Sequence, residues 1–216
     1  MTKAFFNWLI FCCLVGCLTC AGVVLSSKSK LSFQMKVLID ESTKKKAVCE
    51  SSLLINNPLA PNDIPEALKY LASHSDYSSY HLLLAIRQYY PESYKAIANR
   101  DKAAILCSAL RNSTYLNDWG YLDNIESFDG ESAKALLDSG EVALSFLVPL
   151  LEDNDSAPLF GSEEATLSRE YKYRRKDFAY RYISLLLGQS PTFSPDLKER
   201  NKSIESLKSK LKTGTK

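Results

Sequence analysis

A mainly α fold is predicted for this chain, on three observations. Apolar residues recur at helical spacing from about position 64 onward, as in Leu68, Leu71 and Ala72, in Tyr80, Leu83, Leu84 and Ile86, and in Phe178, Tyr182 and Leu185. The gaps between these runs carry helix stop and start signals, namely Tyr90-Pro91, Gly140, Gly188 and Ser194-Pro195-Asp196. The composition, 45% hydrophobic and 24% charged, is that of an ordinary globular chain. The residues beyond the N-terminal segment suffice to bury roughly 70% of the surface their unfolded chain exposes.

Residues 1–25 read as a leader or anchor. Lys3 and the α-amino group are positive, no charge occurs from Ala4 to Leu25, and Phe5–Val15 has the length of a signal-peptide apolar region. The stretch Leu14-Val15-Gly16-Cys17 resembles the bacterial lipobox. That resemblance implies lipidation of Cys17 and removal of the chain before it. Leu18–Leu25 stays apolar where lipoproteins usually turn polar. An uncleaved anchor is therefore a competing reading, since 4–25 is long enough to cross a bilayer core of roughly 30 Å. Lys28, Lys30 and Lys36 would then draw the following chain toward the cytoplasm. Simple cleaved secretion is a third. Membrane attachment at the cell envelope, with the extracytoplasmic side favoured, is the expectation.

Residues 26–63 form a spacer. Leu31, Phe33, Met35, Val37 and Ile39 alternate with mostly polar residues, which predicts a strand, and 47–55 could return beside it as a small β-hairpin. Residues 56–65 carry three prolines and read as a linker.

The helical domain spans 64–190. Helices are expected over 65–72, 80–90, 93–110, 131–138, 142–151 and 168–187, with irregular stretches at 112–130 and 153–168. A last helix with a narrow stripe of Leu197, Ile204, Leu207 and Leu211 occupies 191–216. Leu147, Pro149, Leu150, Leu151 and Asp153, with Asp177, Ala179, Leu185, Leu186 and Gly188, resemble the two halves of a HEAT-type helical repeat. Leu68, Leu71, Asp76, Leu83 and Ala85 resemble a looser copy. The chain departs from that family in the long insertion between the two helices of the better copy, and it shows no regular period. The resemblance implies a surface presented to a partner.

Two segments are candidate binding surfaces. The 112–130 stretch sets Tyr115, Trp119, Tyr121 and Phe128 among Asp118, Asp123, Glu126 and Asp129, and long irregular segments in compact domains often bind. Residues 169–182 interleave Lys172, Arg174, Arg175, Lys176 and Arg181 with tyrosines, a pattern suited to carboxylates, phosphates or lipid head groups. The bland alternatives are a self-pinned Ω-type loop and a solvated face with Glu170–Arg174 and Asp177–Arg181 pairs. The binding reading names Trp119, Tyr121, Lys172, Arg174, Arg175 and Arg181.

Several chemistries find no motif. Twenty-seven basic against 25 acidic residues leave a net charge of +2, with no field for nucleic acid. His74 and His81 lack a third ligand, the 112–130 acids do not match a calcium loop, and no metal or cofactor is expected. No serine elbow, Walker loop or dinucleotide fingerprint occurs, so no catalytic residue is nominated. Cys49 and Cys107 could bridge in an oxidising compartment, or Cys107 could be a buried thiol. The expected function is a membrane-anchored accessory, structural or protein-binding module, in one version an inhibitor of its partner. The alternative is an envelope hydrolase using carboxylates of 112–130 and 160–170, which would require two of Asp118, Asp123, Glu163 and Glu164 to converge.

Overall fold

The computed structural model describes residues 31–44, 50–122 and 130–213. Among these residues there are helices and turns but no strand. The leader with Cys17, the Cys49 position, and Asp123, Glu126, Phe128 and Asp129 lie outside them.

The segment expected as a strand is helix α1 (Phe33–Thr43), followed by α2 (Glu50–Asn56) where the return strand was expected. The predicted hairpin is thus corrected. Residues 31–42 satisfy two periods at once, and packing selects the helical one. Met35, Leu38 and Ser42 fall three and four positions apart and are buried, whereas Phe33, which the alternation required inside, is exposed. Ser32 starts the helix by accepting the Met35 amide on its hydroxyl at 3.3 Å. An isolated pair of strands would have been marginal in any case.

Helix α3 (Ile64–Ser73) leads through a tight turn at Tyr77–Ser79 into α4 (Tyr80–Tyr89). Every residue of α4 from Tyr80 to Ile86 is buried, the mark of a central helix packed on all sides. It packs against α1, α5 (Pro91–Ala96) and α6 (Asn99–Asn112). The expected 93–110 helix is divided because Ile97 and Ala98 are extended, at ψ 134° and 135°, which turns α6 away from α5 and buries Ile97.

Helix α7 (Glu131–Asp138) packs on α6. Residues 140–152 form two tight 3₁₀ segments around the short α8 (Leu144–Leu147). The expected 168–187 helix also divides, into α9 (Ser162–Glu170) and α10 (Arg175–Leu186). Lys172 sits in the left-handed region at φ 49°, and Tyr173 is buried. The Tyr173 carbonyl accepts the Ala157 amide at 2.8 Å, so the chain leaves the helix to pair with 155–157. Asp177 then restarts it by accepting the Arg174 amide at 3.0 Å. Gly188, at φ 67°, ends α10, with the Gln189 amide donating back to Ser184.

Helix α11 (Leu197–Thr213) lies against α10 with Ile204 and Leu207 buried. Asp196 accepts the Lys198 amide at 2.7 Å, as the Ser-Pro-Asp start signal implied. The described residues from Leu31 onward make one compact unit around a shared apolar core. No helix among them is long and apolar enough to cross a membrane.

Candidate functional site

The described part of the aromatic loop, 112–122, is fastened rather than offered. Trp119 is 1% exposed, and its carbonyl accepts the Tyr182 hydroxyl of α10. Asn117 clasps the backbone of Phe160, accepting its amide at 2.6 Å and donating to its carbonyl at 2.7 Å. Asp118 accepts the Ser132 amide at 3.0 Å, the Ser132 hydroxyl, and the Tyr80 hydroxyl at 3.3 Å. Burial pushes the Asp118 carboxyl up, and these donors oppose the shift. A Cβ at Gly130 would come within 2.1 Å of the Asp118 carbonyl oxygen, so only glycine permits this closure.

The basic segment spends its arginines internally. Asp177, 1% exposed, receives the forks of both Arg174 (2.7 Å) and Arg200 (2.8 Å), and Arg200 also donates to the Tyr171 carbonyl. Arg175 reaches Asp155 at 3.0 Å and the Ser113 carbonyl at 3.3 Å. Arg181 is buried and donates to the Tyr121 carbonyl. The anticipated Asp177–Arg181 pair is replaced by these longer-range contacts. Trp119 and Arg181, expected at a surface, are therefore interior residues that join α10 to the 112–122 segment. Tyr121 is half-buried, with its hydroxyl 3.5 Å from Glu164. Among the six nominated residues, Lys172 alone is exposed.

Of the four acids named for a hydrolase, Asp118, Glu163 and Glu164 are among the described residues and Asp123 is not. Asp118 is committed to Ser132 and Tyr80, while Glu164 and Glu163 belong to the first turn of α9, where they favour its dipole. Among the described residues no cluster of three or more His, Cys, Asp or Glu could hold a metal. His74 stacks on Tyr70 at 4.0 Å. His81 is buried, its Nδ1 3.0 Å from the Ser42 hydroxyl, and burial lowers it to about 4, so it is neutral. Cys107 is a free, buried thiol pushed up to about 12, the second of its two readings from the sequence.

A different feature has the shape of a site. A cleft of about 880 Å³ opens among α2, α4, α5, α6 and α7. Leu54, Leu84, Pro91 and the Tyr94 ring give it apolar walls. On one side Arg87 joins Glu131 and, at 3.4 Å, Asp138, and Lys134 adds a second partner to Glu131 at 3.0 Å. On the other, Lys102 lies with its ammonium 4.5 Å from the centre of the Tyr94 ring, a cation–π contact. Lys102 is only 5% exposed, and its one hydrogen bond among the described residues runs to Asn99 at 3.3 Å. Burial lowers the Lys102 ammonium, against the attraction of Asp138. The Tyr94 hydroxyl is buried without a hydrogen-bond partner and is pushed up to about 12 by that burial. Arg87 opposes that shift, by its charge and by its close approach to the hydroxyl.

Of the cleft's lining Asp118 alone was nominated from the sequence, as an acid of the 112–130 stretch, and the rest come from five separate helices. One signal was present. Lys102 stands four and seven positions before Leu106 and Ala109, so it shares their buried face, and a lysine in apolar register asks what holds it. Comparison with family models, with curated proteins and with solved structures gives no match to this chain.

Proposed function

We propose that this chain is a membrane-anchored envelope protein whose helical unit works by binding a partner protein, as an accessory module without a catalytic centre. The observation that carries the reading is the cleft beside α4, which combines apolar walls with a few charged side chains, the usual make-up of a binding site. Against the hydrolase alternative, Asp118 is engaged in structure by Ser132 and Tyr80. A HEAT-like layout of 64–188 is part of the proposal. It is supported by the packing of α10 against α8 and the 148–152 turn, the segments that the repeat pairs. Anchorage through the leader, with Cys17 as the lipidated residue, rests on the apolar run and the Leu14-Val15-Gly16-Cys17 motif.

Site-specific photo-crosslinking in the native host tests the binding function. Probes at Gln88 and Lys95, which line the cleft, are expected to trap the same partner, and a probe at Lys198 on α11 is not. Equal trapping at all three positions, or none at the cleft, would refute a cleft-centred partner. Intact mass tests the anchor: loss of residues 1–16 with a gain of acyl mass is expected, and a retained Met1 would favour the uncleaved segment.

A further inference from the structure

A second, shallower groove of about 290 Å³ runs between α10 and α11. Its floor is the buried Leu207, Tyr180 and Gln189 stand on the α10 side, and Lys202, Ser203, Ser206 and Lys210 stand on the α11 side. Lys202, Ser206 and Lys210 are spaced by four residues each, so they form one row on the helix. The two lysines are rooted about 12 Å apart along the axis, with Ser206 midway. Among the described residues no acid lines this groove. Of its polar side chains Lys202 alone has a partner there, Glu199 at 2.7 Å. Glu205 is engaged by Lys208, which also holds Glu152, each at 2.8 Å. The nearby guanidinium groups are spent inward, Arg174 and Arg200 on Asp177. Lys44, Lys95 and Lys134 each face an acid three residues before them. Lys210 has Leu207 and Ser206 at those positions instead.

We infer that this groove binds a phosphate ester of a polyol, with Lys210 and Lys202 on the phosphoryl oxygens and Ser203, Ser206, Tyr180 and Gln189 on the polyol hydroxyls. An ammonium is a point charge with three rotatable donors and suits a tetrahedral phosphate, whereas a planar carboxylate is matched best by a guanidinium fork. The groove has more room than a bare phosphate fills, and its hydroxyl and amide groups both donate and accept, as a polyol does. A lipid head group and a soluble phosphate ester share this chemistry. The inference is independent of the cleft beside α4 and of how the chain is anchored.

The test uses the full chain in dodecyl maltoside, a detergent without phosphate, and limited acetylation of its lysines read site by site from peptide masses. The probes are glycerol phosphate and dihexanoyl phosphatidylglycerol, with glycerol as the uncharged control. A bound phosphate holds the proton on Lys210, so acetylation there should slow about 5-fold at saturation, while Lys198, exposed on the same helix, keeps its rate. Glu199→Gln frees Lys202 and should lower the half-protecting concentration about 3-fold. Ser206→Ala, at an exposed helical position where alanine is well tolerated, should raise it about 5-fold. Protection by either probe supports the inference, and the stronger probe names the source. Protection by neither, protection by glycerol alone, or equal slowing at Lys198 would overturn it. So would protection that neither Glu199→Gln nor Ser206→Ala alters.

Discussion

Arg200 of α11 and Asp177 of α10 form an ion pair at 2.8 Å in which both side chains are nearly inaccessible, 3% and 1% exposed. Arg174 supplies Asp177 with a second cation, and the Arg200 guanidinium lies 4.5 Å from the centre of the Phe193 ring. Burial lowers Arg200, and Asp177 opposes that shift. Removing one partner leaves a buried charge uncompensated, which costs about 3–5 kcal/mol. Asp177→Asn is therefore expected to lower stability by about that amount in urea unfolding. Arg174→Gln, at a more open position, should cost less.

Acid should weaken the fold through His81. Its folded value, about 4, lies below its ordinary 6.5, so the unfolded chain binds the proton more readily. The stabilising effect is complete above pH 6.5, shrinks as pH falls, and is gone near pH 4. It amounts to about 3 kcal/mol. Unfolding free energies measured between pH 7.5 and 4 should show this slope, and a His81→Gln variant should lack that part of it.

Gly130 is predicted to tolerate no side chain. With an added Cβ 2.1 Å from the Asp118 carbonyl oxygen, Gly130→Ala must displace backbone and should cost about 2 kcal/mol or more. The loss should appear as a lower urea midpoint with an unchanged slope.

Phe178→Ala should destabilise by about 3–5 kcal/mol, since the ring is wholly buried and packs edge-on against Tyr173 at 6.1 Å. Arg175→Ala, which releases Asp155 and the Ser113 carbonyl, should cost about 1 kcal/mol. Equal losses in the two variants would mean that α10 is rotated from the orientation described.

Cys107 should resist alkylation while the protein is folded, because its thiol is buried and pushed up to about 12. Denaturation without reductant should expose it fully. A Cys107 that reacts only after reduction would restore the bridge to Cys49.

Much of the helical order could be read in advance, and the misreadings have identifiable causes. Helix α4 and the Gly188 stop follow from local pattern, since seven consecutive buried residues and a left-handed glycine leave few alternatives. At 31–42 two periods fit the same residues, and only the burial of Met35 and Leu38 against α4 decides between them. The break at Lys172 was invisible because good helix formers flank it, and the partner that draws Tyr173 away lies at Ala157. The arginines of α10 looked like a surface because two of their acceptors, Asp155 and the Tyr121 carbonyl, are brought to them by the fold. The cleft is less legible still, for Leu54, Tyr94, Lys102 and Asp138 meet only in three dimensions.

The clasp of Asp118 on Ser132 bears on how this protein can vary. Leu122 is buried and Gly130 is seated on the Asp118 carbonyl, so both are held in place by the unit. A substitution that loosens this clasp therefore acts on α4 and α7 together, since Tyr80 and Ser132 share the Asp118 carboxylate and bond each other at 2.7 Å.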